Sequence, residues 1–177
     1  MRMSMGIKIN DIPPEGLTVE LAENLDILDE GAASTAVTAA MSITPVGGGL
    51  FHVTGRLQAA PRLQCSRCLK EFSHPMDVEV DFDFAPVSAL EADRDHEHEL
   101  APSELDMEFY EGDEIEPADI VKEHLLLALP MVPLHSEKCK GLCAVCGADL
   151  NGADCGCKTD GTGETNAFSV LKNIFKK

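Results

Sequence analysis

The sequence contains no tryptophan and a single tyrosine in 177 residues. Its core must therefore rest on Val, Leu, Ile, Ala and seven Phe, and an apolar content of 44% is enough for one domain of ordinary size. Long apolar runs are also missing. The longest, LLLALPMVPL from Leu125 to Leu134, is interrupted by Pro130 and Pro133. A membrane-spanning helix needs about 20 apolar residues, so no span is expected. The opening MRMSMGIKIN has no apolar centre of the kind a secretory signal carries, and a cytoplasmic protein is expected. Positive charge is scarce too: 14 Lys and Arg stand against 31 Asp and Glu, a formal net charge of −17. Nucleic-acid binding relies on cations that neutralise phosphates, so the whole-chain balance excludes a generic polyanion binder. There is no Ser/His/Asp order, phosphate loop or carboxylate pair above chance. A non-catalytic protein without a small-molecule substrate is expected.

What the sequence does have is seven cysteines. An odd count in a reducing compartment points to metal ligands or redox groups rather than a closed disulfide framework. Cys143-Ala-Val-Cys146-Gly147 is a strong knuckle signal. Two intervening residues let both sulfurs reach one ion, and the glycine can take positive φ and turn backbone N–H groups toward the thiolates. Cys65-Ser-Arg-Cys68 has the same spacing, with Leu69 where the glycine would be. Cys155-Gly-Cys157 can project both sulfurs to one side of an extended backbone. His135, four residues before Cys139, brings the candidate ligands to eight, enough for two tetrahedral zinc sites. One partition joins Cys65, Cys68, His135 and Cys139 across the chain, and Cys143, Cys146, Cys155 and Cys157 locally. The rival partition pairs Cys65 and Cys68 with Cys143 and Cys146 around one zinc and leaves Cys139, Cys155 and Cys157 as free thiols. Neither looks catalytic, because thiolate-rich, fully ligated zinc is usually structural.

Around these motifs the pattern is mostly β. From Thr35 to Val87, β-branched and aromatic residues alternate with polar ones. Val78, Val80, Phe82 and Phe84 should face one way, and Asp77, Glu79, Asp81 and Asp83 the other. PVGGGL reads as a turn, AENLDILDEGAAS as a loop or partial helix. An acidic loop over 88–116 surrounds one short strand, MEFYE. Its His96 and His98 are given no metal. The clearest helix is 117–129, with Pro117 at its first position, a stop at Pro130 and His124 on its core-facing side. The predicted fold is α+β: an antiparallel β-sheet or open-barrel domain with one main helix over residues 1–134, a cysteine-rich zinc-ribbon-like segment over 135–158, and a linker with a short C-terminal helix over 159–177. That helix carries an apolar stripe of Phe168, Leu171 and Phe175.

Taken together, CSRCLKEF, an acidic stretch, IVKEHLLLALPMVPLHSEKCKGLCAVCGADLN and CGC resemble the YceD family, the large ribosomal RNA subunit accumulation proteins. The resemblance runs from about Gly6 to the AFSVLKNIF tail. It implies a bacterial ribosome-biogenesis factor that supports accumulation or processing of large-subunit rRNA, and it implies no catalytic residue. Charge distribution makes an RNA role compatible with so acidic a chain. Nineteen of the 31 acids lie between Glu71 and Glu123. Arg56, Arg62, Arg67 and Lys70 surround the first knuckle, while Lys138, Lys140 and Lys158 flank the cysteine-rich end. Zinc joining the two regions would gather these cations on one face. Arg62, Arg67, Lys70, Lys138 and Lys140 are accordingly the candidate contacts to rRNA or to a ribosomal protein. Two alternatives are an acidic adaptor that holds a basic ribosomal protein without touching RNA, and a chaperone whose zinc-thiolate sites respond to oxidation.

Overall fold

A computed structural model of the chain describes residues 6–28, 34–88, 107–152 and 154–157. Nine strands, one 3-10 turn (Ile9–Asp11, between β1 and β2) and one main helix follow in order: β1 (Ile7–Lys8), β2 (Leu17–Leu25), β3 (Thr35–Gly47), β4 (Leu50–Ala59), β5 (Arg62–Gln64), β6 (Glu71–Ser73), β7 (Met76–Pro86), β8 (Met107–Tyr110), β9 (Glu114–Ile115) and α1 (Pro117–Leu127). The architecture is α+β, mostly sheet with one helix among the described residues.

Alternation sets the main sheet. On β3, Val37, Ala39, Met41 and Ile43 are buried while Ala36, Thr38 and Ala40 are exposed. Phe51, Val53, Leu57 and Ala59 continue the buried layer on β4, and Met76, Val80, Phe82 and Phe84 do so on β7. A period of two puts all of these on one face. The predicted division of β7 holds at its exposed acids, and Val78 packs half-buried at the margin of the core. Gly55 sits in this layer opposite Met41 because nothing larger fits. A Cβ there would lie 2.6 Å from the Ala40 carbonyl oxygen and 2.8 Å from Met41 Cγ.

The strand order is β2-β3-β4-β7-β8. The first four strands are antiparallel neighbours, but β8 runs parallel to β7, with Asp83 opposite Met107 and Pro86 opposite Tyr110. The sheet is thus open and mixed rather than wholly antiparallel. Parallel neighbours need a crossover of roughly a dozen residues or more, and the acidic stretch between Pro86 and Met107 supplies that length. Tyr110 locks β8 in place. Its hydroxyl donates to the Gly49 carbonyl at 2.6 Å, and its ring lies 5.1 Å from that of Phe84. The segment read as a loop or partial helix begins as strand, since β2 runs through to Leu25.

Helix α1 covers the apolar face with Ile120, Val121 and Leu125. Pro117 opens it, since its fixed φ suits a first turn and its missing N–H has no partner to lose there. It ends at Leu127 with Ala128 as its cap, because the residue before Pro130 is pushed out of the α region. His124 packs on Phe82, ring centres 4.7 Å apart, and its Nε2 lies 3.0 Å from Glu108 Oε1 without the alignment of a hydrogen bond. It is a core histidine. Burial raises the Glu108 carboxyl above its usual range although His124 draws it down. β1 and β9 pair beside the helix, Ile7 opposite Ile115. No helix among the described residues is long and apolar enough to cross a membrane. His96, His98, Lys158 and the expected tail helix lie outside the described residues.

Candidate metal centres

The β4–β7 hairpin does not end at the sheet. It is prolonged by β5 and β6, where Leu63 opposes Phe72, and the CSRC knuckle forms its tip. Two backbone bonds fold that tip: Cys65 N–H donates to Lys70 O at 2.9 Å, and Leu69 N–H donates to Cys65 O at 2.9 Å. The second bond requires a left-handed residue, and Leu69 adopts φ +62°. It stands in the glycine position of the motif and takes the glycine's conformation.

After α1 the chain returns across this tip. Ser66 N–H donates to Pro133 O at 2.9 Å, and Leu142 N–H to Arg67 O at 3.1 Å. His135 and Cys139 are thereby delivered to Cys65 and Cys68. One ligand atom from each of the four lies within 4.8 Å of every other. Cys65 Sγ and Cys139 Sγ are 3.8 Å apart, and Cys68 Sγ is 3.4 Å from His135 Nδ1. Cys65, Cys68 and Cys139 are buried under Phe72, Leu134 and Leu142.

The second cluster begins directly after the first. Cys143 N–H donates to Ala148 O at 2.8 Å, and Gly147 N–H to Cys143 O at 2.9 Å. Residue for residue this repeats the CSRC tip, with Gly147 at φ +72°. Cys143, Cys146, Cys155 and Cys157 again keep their sulfurs within 4.8 Å of one another. This cluster is more open: Cys143 is buried, Cys155 and Cys157 half-buried, Cys146 exposed. Leu142 and Asp149 bridge, and Leu150 N–H returns to Gly141 O at 2.9 Å.

The thiols of each cluster differ in acidity. In the first, burial raises the Cys65 thiol, but hydrogen bonds from His135 and neighbouring backbone groups bring it down to about 5. At Cys68 a backbone bond near Lys70 lowers the thiol, yet burial and the sulfurs of Cys139 and Cys65 leave it raised. In the second, backbone N–H groups of Cys146 and Val145 hold Cys143 at about 6, while Cys146 and Cys155 push Cys157 up to about 12. In each cluster one thiol is held low while another is raised, because adjacent negative charges repel. A divalent cation is the chemistry that lets all of them be thiolates together.

The structure brings together all eight residues predicted as ligands, in the two-cluster partition, and it does not join Cys65 and Cys68 to Cys143 and Cys146. Arg62, Arg67, Lys70, Lys138 and Lys140 are exposed, on segments that lead into the first cluster. Arg67 is more than a surface cation. Its guanidinium donates to Glu137 O at 3.3 Å and Cys139 O at 3.0 Å, fastening the returning segment. Arg56 stays on the open face of the sheet, with two 2.6 Å bonds to Asp77. Asn151 escaped sequence reasoning. Its amide donates to Cys139 Sγ at 3.5 Å and its oxygen accepts from Lys140 N–H at 2.8 Å, so it ties the second cluster to a ligand of the first. A lone Asn in a turn gives no signal of that role.

A profile described as "Large ribosomal RNA subunit accumulation protein YceD" matches residues 53–175. A protein of that name from Haemophilus influenzae is 34% identical over 89 residues, covering 50% of this chain and 48% of its own length. The chain thus spans about half of that curated relative. No solved structure matches. The matched region takes in both knuckles, α1 and every candidate ligand, and the chain belongs to the YceD family.

Proposed function

We propose that this chain is a non-catalytic, cytoplasmic ribosome-biogenesis factor for the large subunit. Two structural zinc ions hold its shape, and it touches RNA through the cationic rim of the first site. The observation that carries the reading is the convergence of Cys65 and Cys68 with His135 and Cys139. That convergence joins the chain segments that carry Arg62, Lys70, Lys138 and Lys140, and we read these exposed cations as the rim of the site.

Zinc suits the donors. Three or four thiolates with at most one imidazole favour it over calcium or magnesium, which take oxygen ligands. A tetrahedron with bonds of about 2.3 Å to sulfur has edges of roughly 3.8 Å, the separation of Cys65 and Cys139 sulfurs. All four positions of each site are filled by protein, so no substrate position is left. The segment 135–158 then acts as a zinc-ribbon-like clasp on the β domain, and 159–177 as a linker with a terminal helix. The resemblance in name to rRNA accumulation proteins supplies the process; the basic rim supplies a means of contact.

The test reverses Arg62, Lys70, Lys138 and Lys140 to Glu and spares Arg67, whose guanidinium is structural. Association with large-subunit precursor particles, followed by co-sedimentation, should fall while zinc content and melting stay unchanged. Undiminished association with intact zinc content would refute the rim as the contact.

A further inference from the structure

Strand β2 is an edge. It pairs with β3 from Leu17 to Leu25 without a bulge, and among the described residues no strand pairs with its other side. A regular nine-residue edge offers alternate N–H and C=O groups to any extended chain. Proteins commonly blunt such edges with charged side chains, above all Lys, or with Pro or a bulge. β2 has no Lys, Pro or bulge; the charges that guard it are Glu20 and Glu23, which repel an acidic strand and admit a cationic one.

Between this edge and the first turns of α1 runs a groove of about 280 Å³. Val19, Leu21 and Ala118 give it apolar walls. Glu20, Glu23, Glu116 and Asp119 line its rim, with Lys122 the one Lys or Arg among the lining residues. None of these four carboxylates is ion-paired among the described residues. An apolar slot beside an open strand edge, rimmed by acids, selects its occupant by three separate criteria. Backbone pairing asks for an extended chain. The apolar walls ask for alternate apolar side chains, and the rim asks for Lys or Arg between them.

We propose that the β2 groove binds an extended cationic segment of a partner protein by strand addition. RNA does not fit, since the rim repels phosphate. A second copy of this chain does not fit either: pairing β2 with β2 would set Glu20 and Glu23 against their equivalents in a molecule of charge −17. The inference goes beyond the RNA-contact reading and does not need it, because the groove shares no residue with the cationic rim around the first site.

The test uses the full zinc-loaded chain and a labelled peptide of alternating Val and Lys, about ten residues long, one strand's length. The Val/Lys peptide should bind, and an alternating Val/Glu peptide should not. E20K together with E23K, both exposed, should weaken binding by roughly tenfold or more with melting unchanged. Strand addition makes a sharper demand. N-methylation at one alternate set of peptide residues should abolish binding, and at the other set should be tolerated, because only one set of N–H groups faces β2. Equal binding of both methylated peptides, or no loss in the double variant, would overturn the proposal. So would a dimer of the chain that the Leu21→Lys variant dissolves, which would give the groove to a second copy. RNA crosslinks to residues 17–25 would give it to nucleic acid and overturn it likewise. None of these results bears on whether the rim variants lose precursor particles, so the two readings fail separately.

Discussion

The two cysteine knuckles share one backbone and differ in almost everything around it. Each is closed by the same pair of hydrogen bonds, from the first Cys N–H and from the residue after the second Cys. At the hairpin tip that residue is Leu69, φ +62°; in the second cluster it is Gly147, φ +72°. The tip reaches across 74 residues from Cys65 to Cys139, whereas the second cluster gathers all its cysteines from between Cys143 and Cys157. Loop-closure entropy separates the two spans by only about 1–2 kcal/mol. Burial separates them further, since the sulfurs of the tip lie under Phe72, Leu134 and Leu142 while Cys146 is exposed. The same motif therefore does two jobs. In one place it joins distant parts of the fold; in the other it stiffens a local turn that leans on the first.

The largest expected effect separates those jobs. Cys65→Ser or Cys139→Ser should remove one zinc per chain and lower the melting temperature by about 10 °C or more. Cys143→Ser should also remove one zinc, yet leave the cooperative melting of the sheet nearly in place. Metal analysis beside calorimetry reads both quantities. Equal melting losses from the two sites would erase the distinction.

Next comes Leu57→Ala. Leu57 is fully buried on β4, away from either site. Its loss should cost about 2–5 kcal/mol in denaturant unfolding. Zinc content should remain that of the parent. A chain that lost its zinc along with this core contact would show that the clasp depends on the sheet rather than adding to it.

These contrasts follow how legible each part was in the sequence. The candidate ligands could be picked out in the sequence, because sulfur chemistry restricts partners, but two partitions stayed open there; the structure groups the eight residues as two clusters. The alternation of Val37, Ala39, Met41 and Ile43 made β3 equally plain, since side chains on a half-buried strand must follow period two. Parallel pairing of β8 was not legible. It depends on where a long acidic connection crosses, which no local pattern encodes. Arg67 read as a surface cation, and its bonds to the carbonyls of Glu137 and Cys139 exist only after the chain returns. The β2 groove was hidden for a similar reason: the second half of the strand reads as a loop or partial helix, and only the strand order leaves β2 at an edge.

A smaller effect probes the seam between the two sites. Asn151→Leu removes the amide bond to Cys139 Sγ and the acceptor for Lys140 N–H. A hydrogen bond of this kind is worth about 1 kcal/mol net, somewhat more to a charged partner. Zinc should leave the first site faster when challenged with a chelator, although Asn151 lies within the second. An unchanged release rate would make the sites independent neighbours.

The smallest effect has the opposite sign, and it tests the backbone identity of the knuckles most directly. A non-glycine residue in the left-handed region carries a penalty of about 1–2 kcal/mol. Glycine at the same place is relieved of it but gains freedom in the unfolded chain, which offsets roughly 0.4–1 kcal/mol. Leu69 is 55% exposed, so its side chain contributes little burial to lose. Leu69→Gly should therefore stabilise the chain slightly, by less than about 1 kcal/mol, whereas Gly147→Leu should destabilise the second cluster by a similar amount, since both terms change sign. Calorimetry on the first variant and zinc affinity of the second read the two signs. Should Leu69→Gly prove destabilising, the left-handed backbone at this position costs leucine less than the freedom glycine gains in the unfolded chain, and the two knuckles differ in backbone energetics despite their shared hydrogen bonds.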